Sequence, residues 1–251
     1  MTDEPPPIPE TRSPFWGYSD LLLFIGISIP CMLLGLGLVK GVVFLLRIQT
    51  PFRAVEILAV QFIGYFFLFG ALALMLRAQY RRPFWVSLGW VEARLGYLTI
   101  IFSGIGTAIA VNVLAYLIRT PTTTNPMLEL LKDRVSVIAV AIFGVTVGPL
   151  CEELAFRGFL QPLFVRSLGT WPGILAAALP FGLLHFQEYG NSWRHAVVIS
   201  MAGVAFGWMR HVTGSTKAAT IMHASYNALF FVALMVLGIE GGKEGAAVRA
   251  P

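Results

Sequence analysis

Two carboxylates and a guanidinium interrupt otherwise apolar sequence in Gly148-Pro149-Leu150-Cys151-Glu152-Glu153-Leu154-Ala155-Phe156-Arg157-Gly158-Phe159-Leu160. A helix through this segment puts Glu153 and Arg157 at i and i+4, with the acid N-terminal to the base, the favourable order for an ion pair. Glu152 then points about 100° away and is free for other work. Two histidines and an amide break later apolar runs in the same manner. His185 follows Phe181 by four residues, and His223 precedes Asn227 by four, so a helix sets imidazole and amide on one face about 6 Å apart. Singly, such charges mark the water-facing end of a helix, and such a histidine marks a helix-to-helix hydrogen bond. Together on three apolar stretches they are harder to dismiss, because each ionisable side chain within a membrane is costly and marks a candidate functional site. A carboxylate in a low-dielectric cavity becomes a stronger base, and amide and imidazole N–H groups suit developing negative charge.

A second route uses the same side chains. Glu152, His185 and His223 match the two histidines and one carboxylate of an open catalytic zinc site, which makes zinc or another divalent ion a candidate cofactor. No His-Glu-x-x-His pair lies on one helix, so the local zinc-protease signature is missing. Cys151, beside Glu152, has no charge pattern that would favour its thiolate, and reads as a buried thiol.

Glu152-Glu153-x-x-x-Arg157, Phe181-x-x-x-His185 and His223-x-x-x-Asn227, in that order on successive apolar stretches, resemble the three signature motifs of the CPBP intramembrane proteases. That family includes the type II CAAX prenyl endopeptidase and the bacterial Abi proteins. The resemblance covers about residues 135–231. It implies that Glu152 with His185 activates the water and that His223 and Asn227 hold the oxyanion or position the scissile carbonyl. Glu153, Arg157 and Phe181 support them, the Glu153–Arg157 pair offsetting the cost of burying carboxylates. Membrane-anchored peptides or proteins are the implied substrates.

The elements that must position these groups follow from composition. The 251 residues are 57% hydrophobic and only 12% charged, against about 25% charge in a soluble domain. That excludes a water-soluble enzyme and a disordered chain, and two cysteines exclude a disulfide scaffold. Spanning about 30 Å of hydrocarbon takes about 20 helical residues. Apolar runs at 21–38, 57–76, 95–118, 135–151, 171–184, 196–209 and 218–239 predict an all-α, polytopic transmembrane helical bundle of about seven spans, with room for an eighth. Continuous runs rather than alternating ten-residue segments exclude a transmembrane β-barrel, and no internal repeat supports an inverted-repeat transporter. One integral-membrane domain is expected over 21–240, with the motifs in 148–230, between a polar, disordered tail at 1–20 and a short flexible tail at 241–251. Kinks are expected at Pro30, Pro149, Pro172 and Pro180.

The net charge of +5 comes largely from arginines between apolar runs, where anionic headgroups explain them without nucleic acid as a partner. The linker with Arg77, Arg81, Arg82 and Arg94 argues that it and the N-terminus are cytoplasmic, in a multi-pass protein of the plasma membrane. Lys40, Arg53 and Glu56 read as snorkelling side chains, Gln61 and Asn112 as helix-to-helix hydrogen bonds, and Trp16, Trp85, Trp90 and Trp171 as an interfacial belt. Gly203 and Gly207 form a small-x-x-x-small face suited to close packing within the bundle. The expected function is endoproteolysis near the membrane face. Two readings of other classes share the polar cluster: a proton-coupled transporter with a Glu/His relay, and a non-catalytic membrane scaffold or immunity protein. Substrate and oligomeric state have no sequence signal.

Overall fold

In the computed structural model the chain is described over residues 13–49, 52–121 and 133–247, with backbone alone at 234, 235 and 237–247. The architecture is all-α, with no strand among the described residues. Helix α1 (Tyr18–Leu45) returns as α2 (Arg53–Tyr80), and a short helix α3 (Phe84–Ser87) leads to α4 (Tyr97–Leu117). Next comes one bent rod: α5 (Arg134–Val145), α6 (Val147–Glu153), a π-helical segment (Leu154–Leu160) and α7 (Gln161–Leu168). Helices α8 (Thr170–Leu184), α9 (Trp193–Thr213) and α10 (Thr216–Ala247) complete the bundle.

All seven apolar runs are helical. Among the described residues, five helices are long and apolar enough to cross a membrane: α1, α2, α4, the rod over Arg134–Leu168, and α9. The fourth run extends well past its expected end at Cys151, whereas α8, at 15 residues, falls short of the roughly 20 that a full crossing takes. The bend in the rod lies where Pro149 requires it. Proline cannot donate to the carbonyl four residues back and clashes with it, and the α5–α6 junction opens at Thr146 with φ −125° and ψ −80°. Pro30 and Pro180 sit inside helices that continue through them.

Helix ends follow local chemistry. Asp133 caps α5 by accepting from the Ser136 amide at 2.8 Å, Ser215 caps α10 by accepting from Ala218 at 3.1 Å, and α9 stops at Gly214, whose φ of 67° suits a residue without Cβ. Helix α1 packs on α2, α4 on α10, and α8 on α9. Phe181, Phe206, Ile100 and Met222 centre one apolar cluster, and Trp16, Leu72, Leu76, Leu88 and Phe159 another. Lipid is as apolar as these side chains, so close packing rather than water exclusion holds such helices together.

Several sequence readings change. Lys40 does not merely snorkel but pairs with Glu56 across α1 and α2. Gln61 and Asn112 bond within their own helices, to Tyr65 and to the Ala108 carbonyl, rather than between helices. Of the expected tail at 1–20, residues 1–12 lie outside the described residues, but Trp16 is only 2% exposed and so is no belt residue. The α10 backbone continues to Ala247, through most of the segment 241–251 expected as a flexible tail, and 248–251 lie outside the described residues. Tyr80 donates to Asp20 at 2.6 Å, which sets the start of α1 and the arginine-bearing linker at one end of the bundle.

Candidate active site

Glu152 and Glu153 are the last two residues of α6, and the π-helical segment begins immediately after them. Such widened turns are rare and are often found at functional sites. Arg157, inside the π segment, donates from Nη1 to Glu153 Oε1 at 2.9 Å. Neither side chain reaches solvent, Glu153 being 0% and Arg157 1% exposed. Burying these charges is tolerable only because they are paired and further bonded. Arg157 also donates from Nη2 to the Gly203 carbonyl at 2.8 Å, and its guanidinium carbon lies 4.5 Å from the Phe181 ring centre and 5.5 Å from that of Phe206.

His223, from α10, completes the network: its Nδ1 meets the same Glu153 Oε1 at 2.9 Å. A carboxylate paired with arginine accepts, so Nδ1 carries the proton. The neutral ring then presents a bare Nε2, which lies 3.9 Å from Glu152 Oε2. That gap is beyond a direct hydrogen bond, but catalytic contacts are commonly long before substrate binds. Glu152 keeps 24% of its side chain exposed while His223 is almost enclosed. Phe206 stacks on the His223 ring, with centres 4.5 Å apart and planes 19° apart. The two adjacent glutamates have thus separated into an open carboxylate and a sealed one.

His185 is the first residue beyond α8. Its Nδ1 lies 2.8 Å from the Phe181 carbonyl, which can only accept, so this ring too offers Nε2 as its free nitrogen. Phe181 is the hub of the cluster, with its ring 5.0 Å from His185 and 5.8 Å from His223, centre to centre. Asn227 faces the rod instead: its amide donates to the Gly144 carbonyl at 2.7 Å, near the end of α5. One amide N–H is therefore committed to backbone, and the group carries a second.

The structure thus joins Glu153, Arg157, His223 and Phe181 directly, sets Glu152 facing His223, and ties His185 to the group through Phe181. The zinc donor set can be tested against this geometry. Both free Nε2 atoms suit a metal, and their Nδ1 bonds are of the kind that orient metal-ligating histidines. Among the described residues, however, no three of His, Cys, Asp or Glu stand close enough to hold one ion.

Sequence reasoning did not find Phe206, or the acceptor role of Gly203. It placed Gly203 and Gly207 on a close-packing face without naming their partners. Arg157 bonds the Gly203 carbonyl and Gln161 the Gly207 carbonyl, the latter at 2.9 Å. The signal was a matched spacing, because 157/161 and 203/207 both advance one helical turn. Glu188, in the loop after His185, lies within electrostatic reach of His185 and Glu152 and was also missed.

Fold and site together define a polytopic helical membrane protein with an acid–imidazole cluster sunk between its helices. Residues 134–229 match the family model described as type II CAAX prenyl endopeptidase Rce1-like. Over these residues, which contain all three motifs, the chain is similar to that family. No curated protein and no solved structure matches the chain.

Proposed function

We propose that this chain is an intramembrane endopeptidase that cleaves membrane-anchored peptides near the membrane face, with Glu152 as the base that activates water. The observation that carries the reading is the separation of the two adjacent carboxylates. Glu153 is sealed, spoken for by Arg157 and His223, whereas Glu152 is partly open and faces the free nitrogen of His223 at 3.9 Å.

In this reading Glu152, assisted by His185, takes a proton from water, and the resulting hydroxide attacks the scissile carbonyl carbon. The C–O bond forms as the carbonyl π pair moves onto oxygen. His223 then serves as a donor only in its protonated form, because its neutral Nε2 is bare. The second N–H of Asn227 is the other donor to the oxyanion. Collapse breaks the C–N bond, and the proton held by Glu152 passes to the leaving amine.

The test is cleavage of a peptide library by purified protein in proteoliposomes, with metal analysis and chelator treatment alongside. Glu152→Ala and His185→Ala should each abolish cleavage while the protein stays folded. Retained cleavage in both overturns the assignment. Proton flux without proteolysis would support the transporter reading instead, and a cellular phenotype indifferent to Glu152 the scaffold reading. Loss of activity with chelator and its return with zinc would move Glu152, His185 and His223 into the role of metal ligands.

A further inference from the structure

The segment before α1 lies outside the motif region, yet it is bolted to the active-site rod. Trp16 donates from its indole Nε1 to the Phe159 carbonyl at 3.0 Å, a bond that spans 143 residues of chain. Its ring stacks on that of Phe159, with centres 5.2 Å and planes 22° apart. Arg166 of α7 donates to the Pro14 carbonyl. The other side of this arm is fixed to the far end of α2. Asp20 accepts from the Gly17 amide at 2.8 Å and from Tyr80 at 2.6 Å, and Phe15 packs on Tyr80 with Arg82 over its ring. The arm therefore braces the rod against α2.

Its point of attachment matters. Phe159 belongs to the π-helical segment and lies two residues beyond Arg157. Arg157 holds Glu153, and Glu153 holds Nδ1 of His223. A π turn is a less common state of the chain than an α turn, so it persists where its surroundings fix it. Packing alone could be supplied by any aromatic ring, but tryptophan adds one N–H donor that phenylalanine lacks.

We infer that Trp16 is a positioning residue of the site: its indole N–H fixes the π turn in the register that lets Arg157 and Glu153 orient His223. The inference rests on the endopeptidase reading and reaches it only through that chain of contacts. Trp16→Phe keeps the ring and removes the donor. It should lower kcat about tenfold, the scale of one hydrogen bond, with KM unchanged and with a displaced limb in the pH–rate profile. Phe15→Leu disturbs the edge contact with Trp16, whose ring centre is 5.0 Å away, without touching the donor. It should leave kcat and pH profile as in the wild type. If both variants lose activity only in proportion to lost folded protein, with identical pH profiles, Trp16 is structural and the inference falls. If the wild type cleaves nothing, the endopeptidase reading fails separately. NMR of labelled His223 then decides: a changed Nδ1–H signal in Trp16→Phe, reporting an altered bond to Glu153, supports the positioning role, and an unchanged one overturns it.

Discussion

Glycine brings helices together in two parts of this molecule, for different purposes. Between α1 and α2, a Cβ on Gly35 would stand 2.7 Å from the Val60 carbonyl oxygen and 2.9 Å from the Gly64 nitrogen. There the missing side chain lets backbone rest on backbone. In α9, a Cβ on Gly203 would meet Phe181 at 3.0 Å and Arg157 Nη2 at 3.1 Å. There it lets a charged side chain reach a helix carbonyl. The first contact is packing, of the small-residue kind that joins helices in lipid. The second builds a polar network whose members are the motif residues, and the same absence of a side chain therefore serves the fold in one place and the site in the other.

The largest effect should come from breaking the polar network outright. Arg157→Ala leaves Glu153 buried without its countercharge, and removing one partner of a buried pair costs about 3–5 kcal/mol. Thermal unfolding in detergent should show a strongly destabilised protein, and a wild-type melting curve would mean that the pair is not sealed. Next comes Gly35→Ala, where backbone atoms cannot yield and overpacking costs roughly 1–3 kcal/mol. The folded fraction should nevertheless keep its specific cleavage rate. Gly203→Ala sharpens the contrast. Its neighbours are side chains that can shift by a few tenths of an ångström, so the stability loss should be smaller than for Gly35→Ala and the loss of specific activity larger. Equal ratios of activity to stability in the two variants would erase the distinction drawn between the regions.

The smallest effect concerns pH at the start of the rod. Hydrogen bonds from the Ser136 side chain and then its amide hold the Asp133 carboxyl below the usual carboxylate range. A depressed folded value stabilises the fold above the unfolded value of about 3.9, and this contribution is lost as pH falls through the folded value. The melting gap between wild type and Asp133→Ala should therefore be full near neutrality and close on acidification. A gap that widened in acid would contradict the assigned cap.

The division between what sequence discloses and what it hides follows the same contrast. Helix positions were legible because continuous apolar runs have one solution in lipid, and the motif residues because charge in such runs needs a reason. The break at Thr146 was half legible, through Pro149. The π segment was not, since nothing in Leu154–Leu160 distinguishes an i+5 bond from an i+4 bond before neighbours are known. Gly158 shows why: its Cβ would come within 3.0 Å of the Leu88 carbonyl, a contact made by a distant linker. That linker is itself held by α10, with Thr216 donating to Leu88 and Gly89 carbonyls at 2.6 and 2.8 Å. Ser215 and Thr216 lie at the start of α10, and only the fold reveals their second task. Trp16 misled because a tryptophan beside a span suits both the interface and a buried bond. Lys40 and Glu56 were each placed alone because their pairing crosses two helices.

In the proposed function two adjacent glutamates have opposite duties, and the direct measurement is to substitute each by its amide and read cleavage rate and melting temperature together. Glu152→Gln should cut the rate by about 10²–10⁴-fold, the scale of a lost general base, at an unchanged melting temperature. Glu153→Gln should lower the melting temperature markedly. A Glu152→Gln protein that cleaves at the wild-type rate, or that unfolds as readily as Glu153→Gln, would contradict the assignment.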